Sequence, residues 1–177
     1  MSRIALELGP LKIYWYSLFI FLGLLAGIIT AIREAKKYNI SEDFIYDLAF
    51  FTFPFALIGA RLYYVIFNFD LYKDNLLSIF YIWEGGLAIH GALLFAFIFG
   101  IYYCKKHNVN IPRILDIAAP SIILAQAIGR WGNFFNQEAY GIVVSRTFLE
   151  SLLIPDFIIE GMFIGGNYHH PTFLYES

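Results

Sequence analysis

An all-α, polytopic integral-membrane helix bundle is the fold class this sequence predicts, with four transmembrane spans plus an extracytoplasmic loop region. Three observations predict it. The 177 residues are 59% hydrophobic and only 15% charged, with a mean hydropathy of +0.64. A soluble domain of this length has no way to bury so much apolar surface, because much of its outside must face water. The apolar residues are also gathered into charge-poor runs of roughly 20 residues, which as helices match a hydrocarbon core about 30 Å thick. Finally, lysines and arginines cluster after alternate runs, as expected of loops kept on the cytoplasmic side.

The first predicted span is Ile13–Ile32, twenty residues without a charge. It is too long for a secretory signal and is followed by Arg33, Lys36 and Lys37 rather than a small-residue cleavage site. Pro10-Leu11-Lys12 reads as a short interfacial lead-in. The second span is Phe44–Phe67, with Asp47 near its start, Pro54 inside it and Arg61 toward its end; proline is tolerated in membrane helices. Residues 68–84 are too mixed to span. They read as a loop with a short amphipathic helix at the interface, anchored by Tyr72, Tyr81 and Trp83. The third span is Gly85–Cys104, free of charge except for His90 and followed by Lys105, Lys106 and Arg113. The fourth is Ile114–Phe135, with Asp116 and Pro120 at its start and Arg130 near its end. Residues 136–169 form a loop or small extramembrane lobe, and His170–Glu176 follows. One membrane domain over residues 1–177 is expected, with an extracytoplasmic segment from 136 to 177.

Topology follows from the basic residues. Arg33, Lys36 and Lys37 precede the second span, and Lys105, Lys106 and Arg113 precede the fourth. These loops lie on one side, which is then cytoplasmic. Arg130 comes about 24 Å up the fourth span, Arg61 about 25 Å up the second, and His90 about 8 Å below the outer start of the third. Trp15 and Tyr16 sit just below the outer start of the first. All the unusual residues fall in the outer half of the bilayer.

The stretch Gly129–Gly141, GRWGNFFNQEAYG, is the wrong chemistry for hydrocarbon. Ionisable residues at membrane depth are costly, roughly 2.5–3.5 kcal/mol each on insertion scales, and usually face a polar interior that serves a function. Each residue also has a plainer reading. Arg61 and Arg130 can snorkel to the headgroups or pair with a loop carboxylate. His90 can be a neutral packing histidine bonded to a carbonyl. Gly85, Gly86 and Gly91 can permit close helix approach. Trp15 and Tyr16 can be an aromatic belt. His169-His170 does not make a metal site, because adjacent side chains point apart and no carboxylate stands at ligand spacing. The single cysteine, Cys104, makes neither an intrachain disulfide nor a metal cluster. A net charge of −2 offers no surface for nucleic acid.

Arginine's planar fork suits phosphate oxygens, histidine is readily poised as a base, and asparagine amides can stabilise developing negative charge. A phosphate near outer headgroups means a phospholipid. The residues alone therefore point to a phospholipid-handling membrane enzyme open toward the outer face. A transporter or channel is the alternative, with inverted repeats and broken helices as its marks, and no sequence repeat is visible. A non-catalytic membrane scaffold is the other.

The motifs themselves carry a resemblance. Gly129, Arg130, Gly132, Asn133, Phe134, Asn136, Glu138 and Gly141 fill every fixed place of Gly-Arg-x-Gly-Asn-Phe-x-Asn-x-Glu-x-x-Gly. Tyr14–Tyr16, Gly59-Ala60-Arg61-Leu62, Ile89–Leu93 and His170–Glu176 match weaker patterns in the same order. In these the chain resembles the bacterial phosphatidylglycerol–prolipoprotein diacylglyceryl transferase family, over essentially its whole length. The resemblance implies transfer of the sn-1,2-diacylglyceryl group from phosphatidylglycerol to the lipobox cysteine of a prolipoprotein signal peptide, in the bacterial cytoplasmic membrane. Its partners are these two substrates and membrane lipids, with no metal or cofactor. The roles it suggests are a phosphate clamp for Arg130, a pocket shaped by Asn133, Asn136 and Gly141, a base for the thiol in His90, and an assisting hydroxyl in Tyr16. Arg61 and Glu138 are expected to pair or to hold the headgroup. Members of the family continue well past the His-Pro motif, so the chain is expected to be C-terminally truncated relative to them.

Overall fold

The computed structural model describes residues 3–9 and 11–177. In chain order, strands β1 (Ile4–Leu8) and β2 (Leu11–Tyr14) form an antiparallel hairpin with a bulge between Ile4 and Leu6. Helix α1 (Trp15–Lys37) follows, then α2 (Glu42–Phe67). Three short 3-10 turns, Phe69–Leu71, Leu76–Phe80 and Ile82–Glu84, lead to α3 (Ile89–Lys106) and α4 (Ile111–Asn136). The remainder holds β3 (Val143–Val144), α5 (Arg146–Ser151), α6 (Asp156–Gly161), β4 (Phe163–Ile164), β5 (Asn167–His169) and α7 (Thr172–Tyr175).

The predominance of helix agrees with the all-α membrane class. Helices α1, α2 and α4 are long and apolar enough to cross a bilayer. The third expected span is the exception. Helix α3 has 18 residues, two of them the terminal Lys105 and Lys106, so it offers only about 27 Å of helix with a charged end. Pro10 of the expected lead-in lies outside the described residues, and Leu11–Lys12 belongs to a strand instead. No α-helix forms over 68–84, only the 3-10 turns.

The chain packs as two compact units. The first comprises residues 1–31 and 118–177, the second residues 32–117. In the first unit, α1 meets α4 through small residues. An ideal Cβ on Gly23 would stand 2.8 Å from the Ala125 carbonyl oxygen, a backbone approach of the kind that drives helix association where the solvent is itself apolar. The unit also carries the extramembrane lobe, built on a core of Phe134, Leu149, Ile154, Ile159, Met162 and Phe173. Leu149 and Ile159 are fully buried, each contributing about 1.5–3 kcal/mol of hydrophobic stabilisation. Around that core runs a three-stranded antiparallel sheet in the order β3-β5-β4. Its β4–β5 hairpin turns on Gly165-Gly166, both at positive φ, as a two-residue turn requires.

In the second unit, Ser41 caps α2 by accepting a hydrogen bond from the Phe44 N–H at 3.3 Å, and Glu42 and Asp43 fill the first turn. Helices α2 and α3 cross at glycine. A Cβ on Gly91 would lie 2.2 Å from the Gly59 carbonyl oxygen, so neither position admits a side chain. Below the crossing, Phe55 stacks on Phe99 at 4.3 Å, and Phe44 packs on Tyr103.

Candidate active site

The polar stretch at the end of α4 is held by the last motif of the chain. Several contacts join them within the first unit. Arg130 forms an ion pair with Glu176 through Nη2. The Gly141 N–H donates to the His170 carbonyl at 3.0 Å, and the His170 N–H to that of Ile142 at 3.0 Å. The Thr172 hydroxyl donates to the Ala139 carbonyl. Phe173 stacks on Phe134 at 4.6 Å and meets Trp131 edge-on at 5.2 Å. Gly141 is needed for this fit, because a Cβ there would lie 2.7 Å from the His170 Cβ.

The turn between the links is built around Glu138. Helix α4 ends at Asn136, and Gln137 and Ala139 both take the left-handed region at φ +52°. The backbone reverses there, and the Glu138 carboxylate accepts from the amides of Asn133 (3.2 Å) and Asn136 (3.4 Å). Gln137 ties the turn to the lobe by donating to the Gly161 carbonyl at 3.1 Å. Asn133, Glu138 and Thr172 line a shallow hollow over Phe134 and Phe173. Tyr16 joins the same region. Its ring carbon Cδ2 would be 3.0 Å from a Cβ on Gly132, so the bare backbone of Gly132 is what admits it. Trp15 stacks on Phe135 at 4.9 Å, which makes it a packing residue of this unit as well as an aromatic of the span's end.

The first unit thus brings together Tyr16, Arg130, Asn133, Asn136, Glu138 and Gly141. Arg130 is paired with a carboxylate, as the plainer reading allowed, but the carboxylate is Glu176 of the final motif. Among the described contacts only the arginine's Nη2 is engaged. Glu176, Thr172 and Tyr175 join the site residues expected from sequence, and the signal for them is the His-Pro-Thr-x-Leu-Tyr-Glu pattern that contains all three. The Tyr175 hydroxyl lies 3.1 Å from His170 Nδ1, and Phe148 packs edge-on against the imidazole. His169 Nδ1 is 3.0 Å from the Gly141 carbonyl. The two histidines therefore have separate partners.

Beyond this cluster the lobe carries a surface ion network. Arg146 meets Glu150 at 2.8 Å, Glu160 at 2.6 Å and the Tyr168 hydroxyl at 3.2 Å. The Glu150 bond first, then those to Tyr168 and Glu160, push the guanidinium pKa further above its already high ordinary value.

His90 and Arg61 belong to the second unit. His90 stands exposed in the first turn of α3, its ring 6.1 Å from that of Tyr63. The imidazole has no hydrogen bond to protein among the described residues, so it is not the carbonyl-bonded packing histidine of the plainer reading. Arg61 is 7% exposed and neither snorkels nor meets a carboxylate. Its guanidinium donates to the carbonyls of Ser78, Ile79 and Gly85 at 2.7 Å, Gly86 at 3.1 Å and Tyr81 at 3.4 Å. The physical reason is burial, since a desolvated cation must satisfy its N–H groups with whatever acceptors are near. Tyr72, expected as an interfacial anchor, is buried against the same guanidinium at 5.1 Å.

The family model for prolipoprotein diacylglyceryl transferase matches residues 3–177. Relatives named phosphatidylglycerol–prolipoprotein diacylglyceryl transferase are similar over all 177 residues. That of Halalkalibacterium halodurans is 50% identical, with 61% of its own length covered; that of Bacillus velezensis is 52% identical, with 65% covered; that of Bacillus cereus strain Q1 is 51% identical, with 66% covered. The chain spans a little under two thirds of the length of these relatives. With the signature of Gly129–Gly141 complete and the match running almost end to end, the chain belongs to the prolipoprotein diacylglyceryl transferase family.

Proposed function

We propose that the protein transfers the sn-1,2-diacylglyceryl group of phosphatidylglycerol to the lipobox cysteine thiol of a prolipoprotein signal peptide, the first step of bacterial lipoprotein maturation. The thiol gives its proton to a base. Its sulfur attacks the glycerol carbon that carries the phosphate ester. A C–S bond forms, the C–O bond breaks, and glycerol phosphate leaves with the bonding electrons. Such a step needs a thiolate nucleophile and charge stabilisation at the leaving phosphate.

The observation that supports this reading is the lacing of Gly129–Gly141 to His170–Glu176 around one arginine. Glu176 holds one η nitrogen of Arg130, and its other donors can take phosphate oxygens. Asn133 and Asn136, fixed on Glu138, shape the pocket, and Tyr16 orients or assists. His90 is the proposed base, its imidazole without a protein hydrogen bond and so open to a thiol. The protein lies in the cytoplasmic membrane, crosses it four times with α3 as the third crossing, and opens toward the outer leaflet. The basic residues at 33–37 and 105–113 support that orientation.

The test uses the full-length gene product carrying this sequence, incubated with phosphatidylglycerol and a lipobox peptide. The expected product is a peptide heavier by one diacylglyceryl thioether. No mass gain from folded, inserted protein would sink the reading. Arg130→Ala should lower transfer by about 10²–10³-fold and leave membrane insertion intact. Unchanged transfer in that variant would remove the clamp.

A further inference from the structure

Residues 68–88 join α2 to α3 with nothing firmer than the three 3-10 turns, and their apolar side chains mostly face outward. Leu71, Leu77, Phe80 and Trp83 are 67–74% exposed. A segment with so little buried apolar surface should open easily. What holds it is Arg61. A guanidinium has five N–H donors, and here five carbonyl oxygens meet them. Nε donates to Ile79, Nη1 to Gly85 and Gly86, and Nη2 to Ser78 and Tyr81. The Tyr72 ring packs on the same cation, so both ends of the segment are tied to one side chain. The Ala88 N–H, donating to the Ala60 carbonyl at 3.0 Å, closes the connection next to Arg61. Gly86 makes room for it. A Cβ there would lie 2.6 Å from Arg61 Nη1, and its φ is +71°.

We propose that Arg61 is a positioning residue. It fixes the strap from Tyr72 to Gly86, and with it the lead-in to α3 on which His90 stands four residues later. It does not touch the lipid phosphate, because every donor it owns is spent on a carbonyl. This rests on the reading of His90 as the base of the proposed transfer. Lysine cannot replace Arg61, since three donors on one nitrogen cannot span carbonyls in three parts of a loop.

The experiment compares Arg61→Ala, Arg61→Lys and Gly86→Ala in the full-length gene product, reconstituted in phosphatidylglycerol vesicles. Chymotryptic cleavage between Tyr72 and Trp83 reports the strap, and saturation with phosphatidylglycerol separates kcat from KM. In all three variants cleavage should rise about tenfold, because cleavage follows the population of the opened segment. In all three, kcat should fall about tenfold with KM within about twofold, the mark of a misplaced reacting group rather than lost binding. Gly86→Ala keeps the arginine itself, so it shares the phenotype only if geometry is what matters. A protected strap in Arg61→Ala overturns the proposal, and so does a raised KM with unchanged kcat. Should Arg61→Ala fail to insert, the other two variants decide on the same readouts. If the unmodified protein transfers nothing, the transferase reading fails, and the cleavage readout alone still decides whether Arg61 holds the strap.

Discussion

Gly141→Ala should disable transfer without unfolding the protein. The new methyl carbon would lie 2.7 Å from His170 Cβ, 3.2 Å from Thr172 Cγ2 and 3.4 Å from the His170 carbonyl oxygen. His170 Cβ is attached directly to the backbone, so it cannot swing away as a flexible side-chain end would. The chain at 141 and the chain at 170 must part, and the 3.0 Å bond from the Gly141 N–H to the His170 carbonyl lengthens. Overpacking of this kind costs about 1–3 kcal/mol. If about 2 kcal/mol of that falls on the arrangement of Arg130 and Glu176, transfer drops by roughly 30-fold. The assay is the mass gain of a lipobox peptide at saturating phosphatidylglycerol, beside a thermal melt. Gly100→Ala is the control, because a Cβ at that position meets nothing within 4 Å. Wild-type turnover in Gly141→Ala would refute the idea that the two motifs must be laced for the site to work.

Three other outcomes are expected. His90→Ala should reduce transfer by about 10²–10⁴-fold, the usual worth of a positioned base; if that variant keeps its activity and His170→Ala loses it, the base is the imidazole held by Tyr175. Leu149→Ala should cost about 2–5 kcal/mol, because Leu149 is fully buried in the lobe, and protease nicking near α5 and α6 should appear before any loss of the membrane helices. Arg146 has a folded-state pKa raised above its ordinary value, so its contribution is complete below the unfolded pKa and is lost only as pH rises through the still higher folded one. Both lie well above neutral pH. Its titration therefore adds no pH dependence to lobe melting between about pH 7 and 10, while salt should weaken the exposed network.

The long helices were legible because their signal is local. The runs 13–32, 44–67 and 114–135 became Trp15–Lys37, Glu42–Phe67 and Ile111–Asn136, each apolar enough for a bilayer whatever its neighbours do. Gly165-Gly166 is a hairpin signal in the sequence, but the short strands it joins are too brief for alternation to show. The aromatics of 68–84 suit a loop with a short amphipathic helix at the interface, but backbone carbonyls of this segment turn inward to Arg61 and only 3-10 turns form.

The sequence by itself determined the membrane class, the family and the identity of the polar residues, since these reside in composition and in motifs with fixed spacing. Tertiary structure alone decided the partners. Arg130 meets Glu176 from 46 positions further along the chain, and nothing local to either residue announces the pair. Arg61 meets peptide carbonyls, which every residue possesses and no side-chain pattern can reveal. A buried cation takes the acceptors that folding brings within reach, and which acceptors those are is a property of the packed chain.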